Sequence, residues 1–140
     1  MARFVVGPPF NGPPTYLQRF DARTGAPIGK AVPIGRHPTL NLLATADRRT
    51  LVFGDVGEPA TYVVDASTLR VRRRYSFGDV TTTVSPDGRL VALGGSDGSV
   101  RVADLATGHV HRLAGRHDGL VEDAVFSHDD RTLATTGDDR

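Results

Sequence analysis

The 140-residue chain has no cysteine and no tryptophan, one methionine and one lysine, Lys30. Without cysteine there is no disulfide framework and no thiolate metal site, which suits a reducing compartment. Aromatic residues make up 6% of the sequence, so there are few platforms on which nucleic-acid bases could stack. No run approaches the roughly eighteen apolar residues of a membrane span. Met1-Ala2-Arg3-Phe4-Val5-Val6-Gly7-Pro8 breaks into glycine and proline before a signal-peptide apolar segment forms. Net charge is +1, from 17 Lys and Arg against 16 Asp and Glu, which excludes a strongly polyanion-seeking chain. A sustained helical period is also missing, and nine prolines and sixteen glycines disfavour long helices. These absences predict a soluble, cytoplasmic, all-β protein with no cofactor, no nucleic-acid partner and no membrane contact.

What is present is a repeat. Thr45-Ala46-Asp47-Arg48-Arg49, Ser85-Pro86-Asp87-Gly88-Arg89 and Ser127-His128-Asp129-Asp130-Arg131 align without gaps, with central aspartates 40 and 42 residues apart. A second anchor, Asp21-Ala22-Arg23-Thr24-Gly25, Asp65-Ala66-Ser67-Thr68-Leu69 and Asp104-Leu105-Ala106-Thr107-Gly108, recurs at spacings of 44 and 39. Asp, Ser, Thr, Gly and Pro close tight turns, so both anchors mark corners between strands. Between them lie β-prone runs: 50–54, 60–64, 80–84, 90–94, 99–103, 121–127 and 132–136. A period near forty residues points to stacked units that cover one another's apolar faces.

With four strands a to d per unit, residues 2–38 read as strands b, c and d of a first blade. Residues 39–79 and 80–119 read as complete blades, and residues 120–140 as strands a and b of a fourth. The pattern predicts a β-propeller fragment of four-stranded antiparallel blades, two complete and two partial, in a single segment spanning 1–140. Because rings close with about four to eight blades, the remaining blades are expected from a longer chain or from self-association.

At these residues the chain resembles the WD-repeat (tryptophan-aspartate repeat) β-propellers. Phe126-Ser127-His128-Asp129-Asp130-Arg131-Thr132-Leu133-Ala134-Thr135 is similar to that family's F-S-P-D-G-R-T-L-A-S, and Arg116-His117-Asp118 sits where the family has its Gly-His pair. The resemblance implies a hydrogen-bonded tetrad in the fourth unit from His117, Thr135 and Asp139, with its Trp falling beyond Arg140. The third unit keeps a turn aspartate, Asp97, but has Leu93 at the hydroxyl position and Ala103 at the Trp position. Phe20 and Val64 take the Trp position in the first two units. The resemblance also implies that the d–a and b–c loops share one rim. That places Arg36, His37, Glu58, Pro59, Ser96, Arg116 and Asp118 on a face presented to a protein partner or neighbouring domain.

Candidate chemistry is sparse. His109 and His111 alternate onto one side of a strand, a spacing that suits metal ligation only with further ligands. Ser127, His128, Asp129 and Asp130 are the residue types of a hydrolytic triad, but neighbours on one turn cannot adopt its geometry. Asp129, Asp47 and Asp87 read as caps of the a–b corner, and Asp97 as a former of the b–c turn. Gly94-Gly95-Ser96-Asp97-Gly98 lacks the Lys-Ser/Thr ending of a phosphate loop. Arg70, Arg72 and Arg74 share a face of an outer strand, where charge guards an edge. Gly7-Pro8-Pro9 and Gly12-Pro13-Pro14 read as an extended first-blade loop.

The expected function is therefore a non-catalytic protein-interaction scaffold. One alternative is the sensor or regulatory tail of a larger signalling or transcription-control protein, in keeping with an Arg-rich, Lys-poor composition like that of high-GC bacterial chains. Another is a propeller enzyme using Glu122 and Asp123 at the inner ends of strands.

Overall fold

The computed structural model describes residues 14–35, 37–55, 57–78 and 80–139. The described chain is all-β, twelve strands in four antiparallel sheets. The first sheet pairs β1 (Thr15–Phe20) with β2 (Pro27–Gly35). The second has the order β3 (Thr39–Ala44), β4 (Thr50–Asp55), β5 (Ala60–Asp65), β6 (Val71–Tyr75). The third runs β7 (Thr81–Val84), β8 (Leu90–Gly94), β9 (Ser99–Asp104), β10 (Val110–Arg116), and the fourth pairs β11 (Val121–Phe126) with β12 (Leu133–Gly137). Within each sheet every strand pairs with the next in sequence, as in a meander. The strand b expected at the start of the 2–38 unit lies outside the described residues, as does most of the proline-rich loop.

Turn chemistry sets the strand ends. Ser85 N–H bonds the Leu90 carbonyl at 2.9 Å and Ser127 N–H bonds the Thr132 carbonyl at 2.8 Å, closing equivalent hairpins. Ser127 and Thr132 are thereby drawn into the corner, so β11 stops at Phe126 and β12 starts at Leu133, each one residue inside the run expected from sequence. The three a–b corners share a left-handed residue at the same place: Arg48 at φ 58°, Gly88 at 74° and Asp130 at 60°. The c–d corners share another, with Gly25 at 74°, Leu69 at 59° and Gly108 at 77°. Glycine enters that region without a Cβ penalty, whereas arginine and leucine are strained there.

The sheets stack face to face. Period-two alternation sends neighbouring residues of β4 to opposite faces. Leu51 and Phe53 pack with Leu17 and Ile34 of the first sheet, and Val64 and Leu69 complete that cluster. Val52 and Val63 turn the other way and pack with Val91, Leu93 and Ala103 of the third sheet and with Tyr75. Both faces of the second sheet are thus covered, and Leu51 to Asp55 form a continuous buried run. The innermost strands β3, β7 and β11 lie side by side. This is the blade arrangement of a partial propeller, and it carries the connecting loops on two opposite rims.

Candidate functional site

The densest polar cluster sits where the loop after β10 meets the loop after β12. The His117 main chain is anchored first: its N–H bonds the Gly98 carbonyl at 3.0 Å, and Val121 N–H bonds the Gly95 carbonyl at 3.1 Å. Gly98 has φ +75°, and a Cβ there would run into the His117 carbonyl, so this turn requires glycine. With its backbone fixed against the third sheet, His117 reaches the fourth. Its Nδ1 lies 2.7 Å from Asp139 Oδ2 and its Nε2 3.0 Å from Thr135 Oγ1. Asp139 Oδ1 accepts the Asp118 N–H at 2.7 Å. The imidazole and that amide hold the Asp139 carboxyl below its ordinary 3.8. His117, Thr135 and Asp139 therefore form one hydrogen-bonded set, with the imidazole half-buried and Asp139 exposed.

The turn aspartates act on their own corners. Asp47 accepts from Thr45 Oγ1 at 2.6 Å and from Arg49 N–H at 3.0 Å. Asp87 accepts from Ser85 Oγ at 2.7 Å and Arg89 N–H at 2.9 Å, and Asp129 from Ser127 Oγ at 2.6 Å and Arg131 N–H at 3.3 Å. Asp97 accepts from Ser99 Oγ and its N–H. In each the neighbouring hydroxyl is the first cause that lowers the carboxyl pKa, followed by the backbone amide. Asp21, Asp65 and Asp104 do the same work at the c–d corners.

The residues expected on one rim fall at different corners of it. Ser96, Arg116 and Asp118 are exposed around the junction of 95–98 with 116–118, and Arg116 Nε lies 3.5 Å from the His117 carbonyl. His37, in the connection from β2 to β3, lies beside Gly57 of the turn after β4. Its carbonyl accepts from Thr15 Oγ1 at 2.7 Å. Glu58 and Pro59 are exposed there, and Glu58 pairs with Arg74 Nη2 at 3.0 Å. Arg36 lies outside the described residues.

One site residue escaped the sequence reading. Asp55 is buried at the end of β4, accepts the Gly57 N–H at 2.9 Å, and stands 3.8 Å from His37 Nδ1. The signal was a histidine two residues before strand a combined with an aspartate closing strand b. It was obscured because the fourth unit keeps its aspartate further along, beyond the strand.

The remaining candidates are dispersed. His109 and His111 are exposed, and among the described residues no three His, Asp or Glu side chains converge as a metal site. Arg72 pairs with Asp65 and Arg74 with Glu58 and the Tyr62 ring, so two of the three basic residues on that face are engaged within their own sheet. Glu122 and Asp123 are exposed on β11, and Asp123 accepts the Ala124 N–H.

Comparison with known proteins adds one finding at this point. Residues 73–104, from within β6 to the end of β9, match the family model described as WD domain, G-beta repeat. No curated protein matches the chain. The match covers strands a, b and c of the third sheet with both of their turns, and over that segment it supports the WD-repeat resemblance.

Proposed function

We propose that this chain is a non-catalytic interaction scaffold of the cytoplasm, whose d–a and b–c loops present a rim to a protein partner or a neighbouring domain. The observation that carries the reading is the WD-repeat match over 73–104. WD repeats are in general protein-interaction modules. The geometry is compatible: loops anchored to stacked sheets hold their side chains in place, and binding residues concentrate on loops of rigid scaffolds. Arg116, Asp118, Ser96 and Glu58 are exposed at such anchored loops.

The test is capture of partners by the immobilised chain, with bound proteins identified by mass spectrometry. A partner retained by the parent, lost with the Arg116→Glu/Asp118→Lys double variant and kept with Arg131→Glu at the a–b corner supports the rim. Equal retention by all three proteins sinks it.

A further inference from the structure

The first three sheets differ at one repeat position on strand c. Gln18, Tyr62 and Arg101 each stand three residues before a corner aspartate, Asp21, Asp65 and Asp104. In the first sheet Gln18 Nε2 donates to the Ile28 and Gly29 carbonyls, both at 3.3 Å. In the second Tyr62 faces Arg74, whose guanidinium lies 5.8 Å from the Tyr62 ring centroid and 3.0 Å from Glu58 Oε2. In the third Arg101 faces Arg112. We propose that this arginine pair, with Arg73 opposite it, forms a docking groove between the second and third sheets for an acidic segment of a protein partner. The groove is built on strands rather than on the rim loops, so the inference goes beyond the scaffold reading and does not rest on it.

Pairing fixes where the side chains go. Leu93 faces Arg101 across β8 and β9, and residues directly opposite each other share a face. Leu93 packs with Val52 and Val63 of the second sheet, so Arg101 and Arg112 project toward that sheet as well. Arg101 lies 4.8 Å from the centroid of Phe77, in the loop that joins the two sheets, and the Phe77 and Tyr75 rings meet at 5.5 Å. From the opposite wall Arg73 of β6 reaches across to the third sheet, where a Cβ on Gly108 would overlap its guanidinium. Tyr75, Ala103 and Val110 form an apolar floor. Arg112 is exposed, and Arg73 and Arg101 are half-buried. Both walls are four-stranded sheets.

The three guanidiniums have no acid to hold them. Among the described residues none of Arg73, Arg101 and Arg112 takes part in an ion pair. Asp97 occupies Glu58's place, seven residues before the corner aspartate, but it turns onto Ser99, accepting from its Oγ and its N–H. Those bonds are the first causes that lower the Asp97 carboxyl, with Arg101 and Arg112 behind them. Asp104, at the corner below, accepts from the amides of Ala106 and Thr107. Like charges directly opposite each other on neighbouring strands destabilise a sheet. The Phe77 ring offsets this for Arg101 alone. A carboxylate set between the two guanidiniums removes the repulsion and accepts charge-assisted hydrogen bonds from both. In the second sheet Glu58 does this from within the chain; in the third the acid comes from outside. A nucleic-acid strand suits the groove less well, because Tyr75 is buried and Arg101 covers the Phe77 ring, leaving no face on which a base can stack.

The probe is a fluorescein-labelled octaglutamate peptide, and its binding to the whole chain is read by anisotropy at low salt. Arg112→Gln and Arg101→Tyr, the latter installing the second sheet's own residue, are each expected to weaken binding about tenfold through the loss of charge-assisted hydrogen bonds. Arg131→Gln, an equal change of charge at an a–b corner, is expected to leave binding unchanged. In urea without peptide, Arg112→Gln is expected to hold or raise the midpoint, because the repulsion is gone; an arginine kept for packing would lower it. Absence of binding by the parent, an equal loss in all three variants, or a lowered midpoint for Arg112→Gln overturns the proposal. So does tighter, Arg112-dependent binding of an oligothymidylate of the same charge, which would assign the groove to nucleic acid.

Discussion

The second and third sheets are joined by hydrocarbon, whereas the fourth is joined to the third in large part by a histidine. One backbone slot carries the contrast. In strand b of the second blade it holds Phe53, in the third Leu93, and in the fourth Thr135. Phe53 and Leu93 are 1% and 0% exposed and sit within apolar clusters. Thr135 bonds His117, which Asp139 orients. In each blade the slot faces the preceding sheet; the second and third blades fill it with hydrocarbon, and the fourth fills it with directional bonds. The two solutions exclude each other locally, because a hydroxyl among hydrocarbon needs an acceptor or donor that the other corners do not place there.

The largest expected break of this contrast is Leu93→Thr, which installs the fourth-sheet residue without its histidine. Lost apolar volume and a hydroxyl stranded among Val52, Val91 and Ala103 should cost about 3 kcal/mol or more, read as a lowered urea midpoint. A midpoint equal to that of the parent would mean the slot is not chemically selective. Thr135→Val, the converse change, removes the hydroxyl bonded to His117 and should cost about 1 kcal/mol. Amide exchange should quicken in β11 and β12 while β8 and β9 keep their protection; a uniform change across all four strands would count against separate modes of attachment.

The smallest effect is on acid stability. The Asp139 carboxyl lies below its ordinary 3.8 because of its His117 bond and the Asp118 amide. A depressed folded-state pKa contributes stability that is fully present above 3.8 and is lost as pH falls through the folded value. Exchange in β11 and β12 should therefore accelerate below about pH 4, before β4 and β8 respond, and Asp139→Asn should remove that difference. The turn aspartates weaken every corner in the same range, but the inner sheets retain their apolar contacts.

Much of the fold was legible because its corners are written in side chains that bond their own backbone. Asp47, Asp87 and Asp129 announce the a–b turns, and the strands between them follow from alternation. The His117, Thr135 and Asp139 set came from the WD-repeat resemblance and not from spacing alone, and its three side chains lie within hydrogen-bond reach. What stayed hidden depends on neighbours distant in sequence. Nothing local says that Asp55 is buried next to His37, because that burial comes from sheet stacking. Nor does the sequence reveal that β2 bulges: three residues, Gly29 to Ala31, oppose the single Gln18 between the pairs Leu17–Val32 and Arg19–Ile28. Gln18 Nε2 meets the Ile28 and Gly29 carbonyls there, a local arrangement that composition does not encode.

Leu69 bears on how freely the copies can be exchanged. It stands at the left-handed position that Gly25 and Gly108 occupy in the neighbouring c–d corners, yet its side chain is 3% exposed within the cluster of Leu17 and Phe53. Grafting the third blade's Asp-Leu-Ala-Thr-Gly corner into the second would relax one backbone angle and open a hole beneath the first sheet. A recombination event between the coding repeats, silent if the units were equivalent, would here be selected against at a residue that looks like a turn. The copies share the chemistry of their corners, but at Leu69 the second is specific to its place in the order.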